Sequence, residues 1–457
     1  MHNDEKIKIL ERLGGVEEVL NMPVGDITRA YRKNLNAVAL NIMHILGTTR
    51  RFVEARGIHL RDDEGREYLD FISGLGAANL GHEPPEVLAA LRLVENRPNI
   101  FQSTINPFAA KLAEYLAALT PGNLSRSFFC NTGAEAVESG LKLARKATER
   151  PVLLYAGGSY HGKTFGALAV SAKPGHKTRK PFEPFLPGSE WVPFNDLAAL
   201  EERLRKNDVA GFIVEPIQGE IGVIVPDTGY LKGAEKLCRQ YGTLLLLDEI
   251  QTGMGRTGRL FCLEYENVEP DILILSKSLG GGVMPVGAIV TTDEIWKKAY
   301  GGFSSALLHT STFGGNSRAC ACGIAALHTI IKNNLSENAA EIGVFLMAGL
   351  KALKDKFSVV RDVRGKGLMI GMELAEFKGN TELMEGVLSI WIARQLLKKH
   401  GIITLFTFNN LNVLRIAPPL TVTRQQAGLF LKALEDVLQS VEKFQKFRLL
   451  KKMKVAS

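Results

Sequence analysis

The chain has 457 residues, of which 46% are hydrophobic and 23% are charged, proportions that are typical of a globular protein. Its length exceeds one typical domain, so two domains, or one large domain with a smaller one, are expected. No run of residues approaches the ~20 apolar residues of a membrane span, and the first residues, MHNDEKIKIL, lack a cleavable signal pattern. We therefore expect a cytoplasmic protein without a membrane partner.

The formal charge of +8 is concentrated at the end of the chain, where residues 443–457 carry six basic side chains and no acidic one. A basic tail can bind nucleic acid, but no basic stretch interleaved with aromatic residues supports this elsewhere, so a nucleic-acid partner is not expected. The five cysteines are an odd number without CxxC spacing. They predict reduced core thiols, and neither a disulfide framework nor a metal site.

The first part of the chain predicts helices and one hairpin. Residues 4–50 have a helical pattern with a break at Gly14-Gly15, and Ala109–Leu119 is a strong helix. Between them, His59–Asp70 alternates around an acidic turn that contains a glycine, which is typical of a β-hairpin.

From residue 126 to 290 the pattern alternates between strands and helices, which predicts a doubly wound and mostly parallel sheet. The candidate strands are Ser127–Cys130, Val152–Tyr155, Gly211–Val214, Thr243–Leu247, Ile272–Leu275 and Val286–Val290. The candidate helices are Ala134–Thr148, Asp196–Lys206 and Tyr230–Tyr241, with a further long helix near Ala319–Lys332. Residues 337–457 then alternate helices with short strands, Ile370–Leu374 and Val413–Ile416, which indicates a smaller α+β domain.

Two of the predicted strands end abruptly in polar residues. Thr243–Leu247 is followed by Asp248, and Ile272–Leu275 is followed by Ser276 and Lys277. Ligands of open α/β sheets bind beyond the carboxyl ends of the strands, so the acid and the lysine are expected to face one crevice. Pyridoxal phosphate (PLP) needs such a pair, a lysine that bonds to its aldehyde and a carboxylate for its pyridinium nitrogen. Partial burial would lower the pKa of Lys277, as this chemistry requires.

Three other stretches are compatible with the same site, although each has an ordinary structural interpretation. Residues 131–135 (NTGAE) end a strand and open a helix, where free N–H groups favour phosphate, but they could be a plain turn. Tyr160 could stack on a planar ring beside His161, or be a core tyrosine. Arg415 could hold a substrate carboxylate or brace the small domain through an ion pair.

The stretch Gly253–Gly258 spells G-x-G-x-x-G, the pattern of a dinucleotide-binding loop. We exclude that function because the motif must open a helix directly after its strand. Here Glu249–Thr252 intervenes, and the residues that follow do not begin a convincing helix.

Taken together, these segments resemble the class III (subgroup II, omega) PLP-dependent aminotransferases over about residues 55–422. The matching stretches include FFCNTGAEAVE, IVEPIQGE, GRTGRLFCLEYENVEPDILILSKSLGGG, HTSTFGGN and RGKGLMIGMEL. The resemblance implies an α/β protein of PLP-dependent transferase fold type I, with a mostly parallel seven-stranded sheet in a large domain and a small α+β domain. The implied units are an N-terminal helical segment (1–50), the N-terminal part of the small domain (51–105), the large PLP-binding domain (106–335) and the C-terminal small domain (336–457).

The resemblance also implies a role for each site residue. Lys277 would hold PLP covalently and move the proton, and Asp248 would pair with the pyridinium nitrogen. The remaining implied cofactor-binding residues are Thr132, Gly133 and Ala134 at the phosphate, Tyr160 and His161 at the ring, Gln251 near the ring hydroxyl, and Thr312 at the phosphate of the neighbouring subunit of a homodimer. For the substrate, Arg415 would hold an α-carboxylate, Glu215 would pair with Arg415 when that carboxylate is absent, and Gln102 would lie in the amine pocket.

Within the class, LTPGNLSRSFFCNTGAEAVE, KTRKPFEPFLPGSEWVPF and GGGVMPVGA favour the putrescine (diamine) aminotransferases. That branch transfers a terminal amine of putrescine or cadaverine to 2-oxoglutarate, giving glutamate and, from putrescine, 4-aminobutanal, which cyclises to 1-pyrroline. The alternatives are an ornithine, acetylornithine or 4-aminobutyrate aminotransferase, an amino-acid racemase or aminomutase of the same fold, and a non-catalytic PLP-fold protein. The sequence leaves open whether dimers pair into tetramers.

Four positions depart from the family pattern. Ile221 replaces a glycine in GEIGV, Ser317 and Arg318 replace proline and leucine in GGNSRAC, and Ala134 stands where a hydroxyl residue is usual. We expect phosphate binding to survive on backbone donors, whereas Ile221 could reshape the substrate pocket.

Overall fold

The computed structural model describes residues 2–100, 104–376 and 386–455, with side chains described as far as residue 442. The helices are α1 (Asn3–Leu13), α2 (Val16–Leu20), α3 (Val24–Asn34), α4 (Ala37–Leu46), α5 (Ser73–Gly76), α6 (Pro85–Leu93), α7 (Pro107–Leu119), α8 (Gly133–Thr148), α9 (Phe165–Ala169), α10 (Leu197–Leu204), α11 (Tyr230–Gln240), α12 (Asp293–Tyr300), α13 (Ser317–Lys332), α14 (Leu335–Lys356), α15 (Val387–His400) and α16 (Arg424–Val455). Short 3-10 helices lie at Lys180–Phe182, Cys262–Tyr265 and Lys277–Gly280.

Fifteen strands are present in the described residues. They are β1 (Phe52–Arg56), β2 (His59–Asp62), β3 (Glu67–Asp70), β4 (Leu124–Cys130), β5 (Val152–Ala156), β6 (Ser189–Val192), β7 (Val209–Val214), β8 (Leu244–Asp248), β9 (Ile272–Leu275), β10 (Gly287–Thr292), β11 (Val360–Lys366), β12 (Met369–Leu374), β13 (Ile402–Ile403), β14 (Leu405–Phe406) and β15 (Val413–Ile416).

The central feature is a seven-stranded sheet with the order β4-β10-β9-β8-β7-β5-β6. Strands β5 to β9 run parallel to one another, and β10 is antiparallel to both of its neighbours. Residues along β5, β7 and β9 are buried throughout, as expected of strands with helices on both faces. The predicted α/β fold with a mostly parallel seven-stranded sheet is confirmed.

Sequence periodicity predicted six of these seven strands and missed β6. Strand β6 is four residues long, pairs only with β5, and exposes Glu190 and Trp191. Because it lies at the sheet edge, it needs no continuous apolar run, and so the pattern that indicates a buried strand is absent.

Two four-stranded sheets, β1-β2-β3-β13 and β11-β12-β15-β14, lie outside the large sheet. The predicted hairpin is confirmed as the antiparallel pair β2 and β3. Strand β13 pairs in parallel with β3, so a segment near residue 402 completes a sheet that begins at residue 52. The residue boundaries between domains stay a prediction. Among the helices of the described residues, none combines the length and apolar character that a membrane crossing requires.

Candidate active site

The carboxyl edge of the large sheet gathers side chains from distant parts of the sequence. Asp248 ends β8, Lys277 lies two residues beyond β9, and Glu215 directly follows β7. Because these strands are parallel neighbours in register, their ends converge on one crevice. A cavity of about 210 Å³ lies there, lined by Gly133, Ala134, Tyr160, His161, Gly162, Lys163, Glu215, Asp248, Ile250, Gln251, Ser276 and Lys277.

Lys277 combines a strained backbone with an amine that is shielded from water. Its φ of 46° lies in the left-handed region, which costs a non-glycine residue on the order of 1–3 kcal/mol and is typical of functional sites. Burial lowers the pKa of Lys277 to about 8, while Glu220 opposes and Arg415 reinforces this shift. A substantial fraction of the amine is therefore neutral near physiological pH and able to act as a nucleophile.

Asp248 is held by two contacts on opposite oxygens. Its Oδ1 accepts a hydrogen bond from Ile250 N at 3.0 Å, and its Oδ2 lies 2.6 Å from Nδ1 of His161. Both side chains are buried, and within the described residues Nε2 of His161 has no partner. His161 thus fixes the orientation of the Asp248 carboxylate at the edge of the cavity.

The N-terminus of α8 lies at the cavity, where the sequence predicted a phosphate-binding site. Thr132 caps this helix, with its Oγ1 accepting from Glu135 N at 3.2 Å. The carboxylate of Glu135 accepts from Asn131 N at 2.8 Å and Thr132 N at 3.0 Å. Within the described chain, the N–H groups of Gly133 and Ala134 are therefore the donors left for a bound anion, assisted by the helix dipole.

Gln251 lines another wall of the cavity and binds the turn formed by α5. Nε2 of Gln251 donates to Leu75 O at 3.2 Å. Leu75 lies in α5, where Ser73, Gly74, Leu75 and Gly76 all have positive φ. Asp70 stabilises the start of this left-handed turn, since its Oδ1 accepts from Ile72 N and Ser73 N.

Arg415 forms an ion pair with Glu220 in this structure, and not with Glu215, the partner that was expected when an amine is bound. Oε1 of Glu220 lies 2.6 Å from Nη2 of Arg415 on β15, and both side chains are buried. Glu215 instead accepts from Tyr160 N at 2.7 Å and Gly219 N at 3.1 Å. The difference arises because Glu215 directly follows β7 and turns back to the Tyr160 loop, whereas Glu220 lies in the turn closed by the Gln218–Ile224 bridge.

The two carboxyl groups have opposite electrostatic environments. Burial raises the pKa of Glu215 to about 7, with Asp248 adding to the shift. Burial would also raise the pKa of Glu220, but the charge and hydrogen bond of Arg415 outweigh it and lower that pKa. Arg415 has further donors for an acceptor, because none of its three guanidinium nitrogens has a well-aligned hydrogen bond among the described residues, although Nη2 forms the ion pair with Glu220. This cation is suited to accept a second carboxylate.

Of the predicted site residues that the structure describes, Thr132, Arg415 and Thr312 do not line this cavity. Thr312 is exposed and lines a separate cavity of about 340 Å³ beside Asn131 and Glu135. Gln102 lies outside the described residues.

The positions that depart from the family pattern have identifiable contacts. Oγ of Ser317 donates to Pro98 O at 2.8 Å, and Nη2 of Arg318 donates to Glu95 O at 3.2 Å. These two residues tie the start of α13 to the segment before residue 100. Ile221 packs close to Gly158, where an added Cβ would lie 3.7 Å from Ile221 Cγ1.

The cavity fits PLP by the chemistry of its lining. It offers N–H donors at a helix N-terminus for a phosphate, a carboxylate oriented by His161, and a lysine whose pKa is lowered by burial. The phenol of Tyr160, which follows β5, also lines it. A sheet, an acid and a lysine in this arrangement define a PLP-dependent enzyme of fold type I.

The comparisons with known proteins are more specific. The family model named aminotransferase class-III matches residues 46–438, and the chain belongs to this family. Its members use PLP to pass an amino group from a donor to a keto acid.

Three solved structures illustrate the range of similar proteins. The ornithine aminotransferase of Toxoplasma gondii ME49 is 31% identical, with a TM-score of 0.83 over 97% of this chain and 99% of that chain. The acetylornithine aminotransferase of Elizabethkingia anophelis is 32% identical, with a TM-score of 0.72 over 86% and 94%. A thermostable omega transaminase engineered for the synthesis of bulky amines is 26% identical, with a TM-score of 0.78 over 86% and 94%.

Proposed function

We propose that this aminotransferase moves the terminal amino group of a diamine, putrescine or cadaverine, to 2-oxoglutarate. The buried ion pair between Arg415 and Glu220 at 2.6 Å supports two alternating substrates, and the stretches LTPGNLSRSFFCNTGAEAVE and KTRKPFEPFLPGSEWVPF favour a diamine as the donor. A buried guanidinium without a partner is costly, so a site that must accept one substrate with an α-carboxylate and one without needs an internal anion that can take its place. Glu220 has that position.

In the first half-reaction, the amine donor occupies the cavity while Glu220 stays paired with Arg415. Bound PLP supplies the electron sink that stabilises negative charge at the substrate carbon. The Nζ of Lys277 would take the proton from that carbon and hand it on. Asp248, oriented by His161 at 2.6 Å, would hold the ring nitrogen in its protonated form, and Tyr160 would contact the ring. Water would supply the aldehyde oxygen as 4-aminobutanal leaves, and the amino nitrogen would stay with the cofactor until the oxo acid takes it up. The released 4-aminobutanal cyclises to 1-pyrroline with loss of water.

In the second half-reaction, 2-oxoglutarate binds and its α-carboxylate displaces Glu220 from Arg415. The planar fork of Arg415 suits a carboxylate bound through two oxygens. Oε2 of Glu220 also accepts from Phe408 N at 3.2 Å, so the released carboxylate keeps a hydrogen bond. Lys277 then returns the proton, and glutamate leaves.

A second candidate is an ornithine, acetylornithine or 4-aminobutyrate aminotransferase, and the first two of these are the activities of the similar solved structures at 31–33% identity. These donors also present a terminal amine, and the Arg415–Glu220 pair suits them equally. The racemase or aminomutase reading has less support, because neither reaction requires two alternating substrates.

The deciding experiment is a donor screen with purified enzyme. Putrescine, cadaverine, ornithine, 4-aminobutyrate and alanine are compared at matched concentrations with 2-oxoglutarate and pyruvate, with glutamate or alanine formation as the readout. We expect the highest kcat/KM with a diamine and 2-oxoglutarate. Preference for ornithine or 4-aminobutyrate over both diamines would replace the proposal by the second candidate. Loss of optical activity from one amino acid without an oxo acid would identify an isomerase.

We also propose a homodimer in which Thr312 completes the phosphate site of the partner subunit. Thr312 lies on an exposed segment that carries several exposed apolar side chains, Phe303, Leu307, Leu308 and Phe313. A dimer would cover them. Thr312→Ala should weaken PLP retention during dialysis by about 10-fold, whereas a monomer by light scattering at micromolar concentration would contradict the proposal.

A further inference from the structure

Arg256 is a fully buried cation that the proposed reaction does not use. It lies in Gly253–Gly258, the glycine motif excluded above as a dinucleotide site, and its exposure is 1%. Among the described residues its Nε has no hydrogen-bond partner, and the carboxylate whose charge acts on it, Asp70, forms no ion pair with it. Burying a charge without an anion costs several kcal/mol in general, so its contacts require a specific explanation.

One side of the Arg256 guanidinium binds main-chain carbonyls next to β12 and β15, and β15 carries Arg415. Nη1 donates to Pro418 O at 2.6 Å and to Leu368 O at 3.0 Å. Pro418 lies three residues after Arg415, and Leu368 directly precedes β12, whose Gly371 pairs with Arg415 in register. The main chain joins this contact, since Leu368 N donates to Arg256 O at 3.0 Å.

The other side of the guanidinium leads to the catalytic lysine. Nη2 donates to Asn79 Oδ1 at 2.5 Å, and Asn79 N donates to Ser278 Oγ at 3.3 Å. Ser278 follows Lys277 directly, and its hydroxyl also donates toward Gly76 O at 2.8 Å. The buried groups of Arg256, Asn79 and Ser278, here named the Arg256 bridge, thus form a continuous path from Pro418 to the residue beside Lys277.

The main chains of the Arg256 segment and of the segment before β12 also approach each other closely, which makes their contact rigid. Gly367, next to Leu368, has a φ of +54°, and a Cβ there would lie 2.3 Å from Thr257 C. The two chain segments therefore touch backbone to backbone beside the guanidinium, and displacement of one moves the other.

We propose that Arg256 is a positioning residue for Arg415: the Arg256 bridge fixes the distance between the carboxylate-binding guanidinium and Lys277. Arg256 does not touch the substrate. It sets where Arg415 lies, and a misplacement of about 1 Å can cost about 10²-fold in rate. The proposal rests on the proposed function only in that Arg415 binds the α-carboxylate of the acceptor.

The test compares Arg256→Gln and the milder Arg256→Lys with a matched control, Arg150→Gln. Arg150 also donates to three carbonyls, those of Val209, Tyr241 and Gly242, but at the opposite edge of the sheet. Holoenzyme is titrated calorimetrically with glutarate, a dicarboxylate that cannot react. Half-reactions with glutamate and with the preferred carboxylate-free amine are followed by cofactor absorbance.

For both Arg256 variants we expect glutarate affinity and the glutamate kcat/KM to fall by about 10- to 100-fold, with the carboxylate-free amine changed less than about 3-fold. Arg150→Gln should lower Tm without changing the ratio of the two half-reactions. The double variant Arg256→Gln/Arg415→Gln should bind glutarate no more weakly than Arg415→Gln alone, because Arg256 acts through Arg415.

Equal losses in both half-reactions, or unchanged glutarate affinity in a folded Arg256 variant, would overturn the positioning role. Unchanged glutarate affinity in Arg415→Gln would overturn it too, since Arg415 would then not hold the carboxylate. Failure of the diamine proposal is a separate result. It would appear in the donor screen, while the glutarate titration and the glutamate half-reaction would still report on Arg256.

Discussion

The candidate active site has two parts that are built differently. The cofactor side is the pair Asp248 and Lys277, and the gate is the ion pair between Glu220 and Arg415. Asp248 and Lys277 lie at the ends of adjacent parallel strands, so the sheet itself brings them together. The gate pair, Glu220 and Arg415, joins a turn after β7 to a strand of a separate small sheet. The pairing of Asp248 with Lys277 therefore depends on the large sheet, whereas the gate depends on how the two sheets meet.

The largest expected effect is on the cofactor side. Lys277→Ala removes the group that moves the proton, and general acid–base catalysis contributes about 10²–10⁴-fold. We expect kcat to fall by about 10⁴-fold for all donors, measured in steady state with glutamate formation. A variant that loses activity with one substrate class only would place Lys277 at the gate and so remove the distinction between the two sides.

Asp248→Asn tests the same side at a smaller magnitude. The neutral amide keeps the shape of the side chain but no longer stabilises a protonated ring nitrogen, and removal of one such electrostatic contact costs about 10²–10³-fold. Rates with the amine and with glutamate should fall together. A loss confined to the glutamate half-reaction would contradict the assignment of Asp248.

The gate is tested by two glutamates that follow the same strand. Glu220→Gln weakens the anion that replaces the substrate carboxylate, so donors without a carboxylate should lose about 10-fold in kcat/KM, while KM for 2-oxoglutarate falls. Glu215→Gln is the matched control, because Glu215 accepts from the main-chain N–H groups of Tyr160 and Gly219. For Glu215→Gln, the ratio of the rates of the amine and glutamate half-reactions should stay within about 2-fold of that of the unsubstituted enzyme. The reverse result would restore Glu215 as the gate.

The same contrast explains what the sequence could predict. The apolar runs that end in Asp248 and Lys277 predict two parallel strands and place both residues at the carboxyl ends of those strands. The pair therefore follows from local patterns and from the rule that ligands bind at the carboxyl edge of a parallel sheet. The segment EPIQGE contains two glutamates, and only the path of the turn after β7 decides which one reaches Arg415. That signal was present in the sequence as the second glutamate, but choosing it needs the tertiary contact with β15.

For Arg256, the motif is visible in the sequence but its contacts could not be predicted from it. The motif Gly253–Gly258 is visible in the sequence, and bends, not a helix, directly follow it in the structure. Its actual contacts, with Asn79, Leu368 and Pro418, join residues more than 100 positions apart. No periodicity or spacing encodes such contacts.

The smallest expected effect separates the two glutamates by the pH dependence of stability. The folded pKa of Glu215 is raised to about 7, so its stabilising contribution is complete below pH 4.5 and is lost as the pH rises to about 7. The folded pKa of Glu220 is lowered, so its contribution is present above pH 4.5 and is lost as the pH falls.

Urea unfolding between about pH 3 and 7.5 measures both effects, because the Glu220 contribution changes up to about pH 4.5 and the Glu215 contribution changes above it. The free energy of unfolding of Glu215→Gln, relative to that of the unsubstituted protein, should increase with rising pH by about 1–3 kcal/mol. The relative free energy of unfolding of Glu220→Gln should instead decrease as the pH rises, because the unsubstituted protein regains its ion pair with Arg415. The buried Glu249 is present in both variants, so its own raised pKa, about 7, contributes equally and cancels. Parallel pH profiles for the two variants would mean that both carboxyl groups share one environment, and the gate would no longer be distinct from the cofactor side.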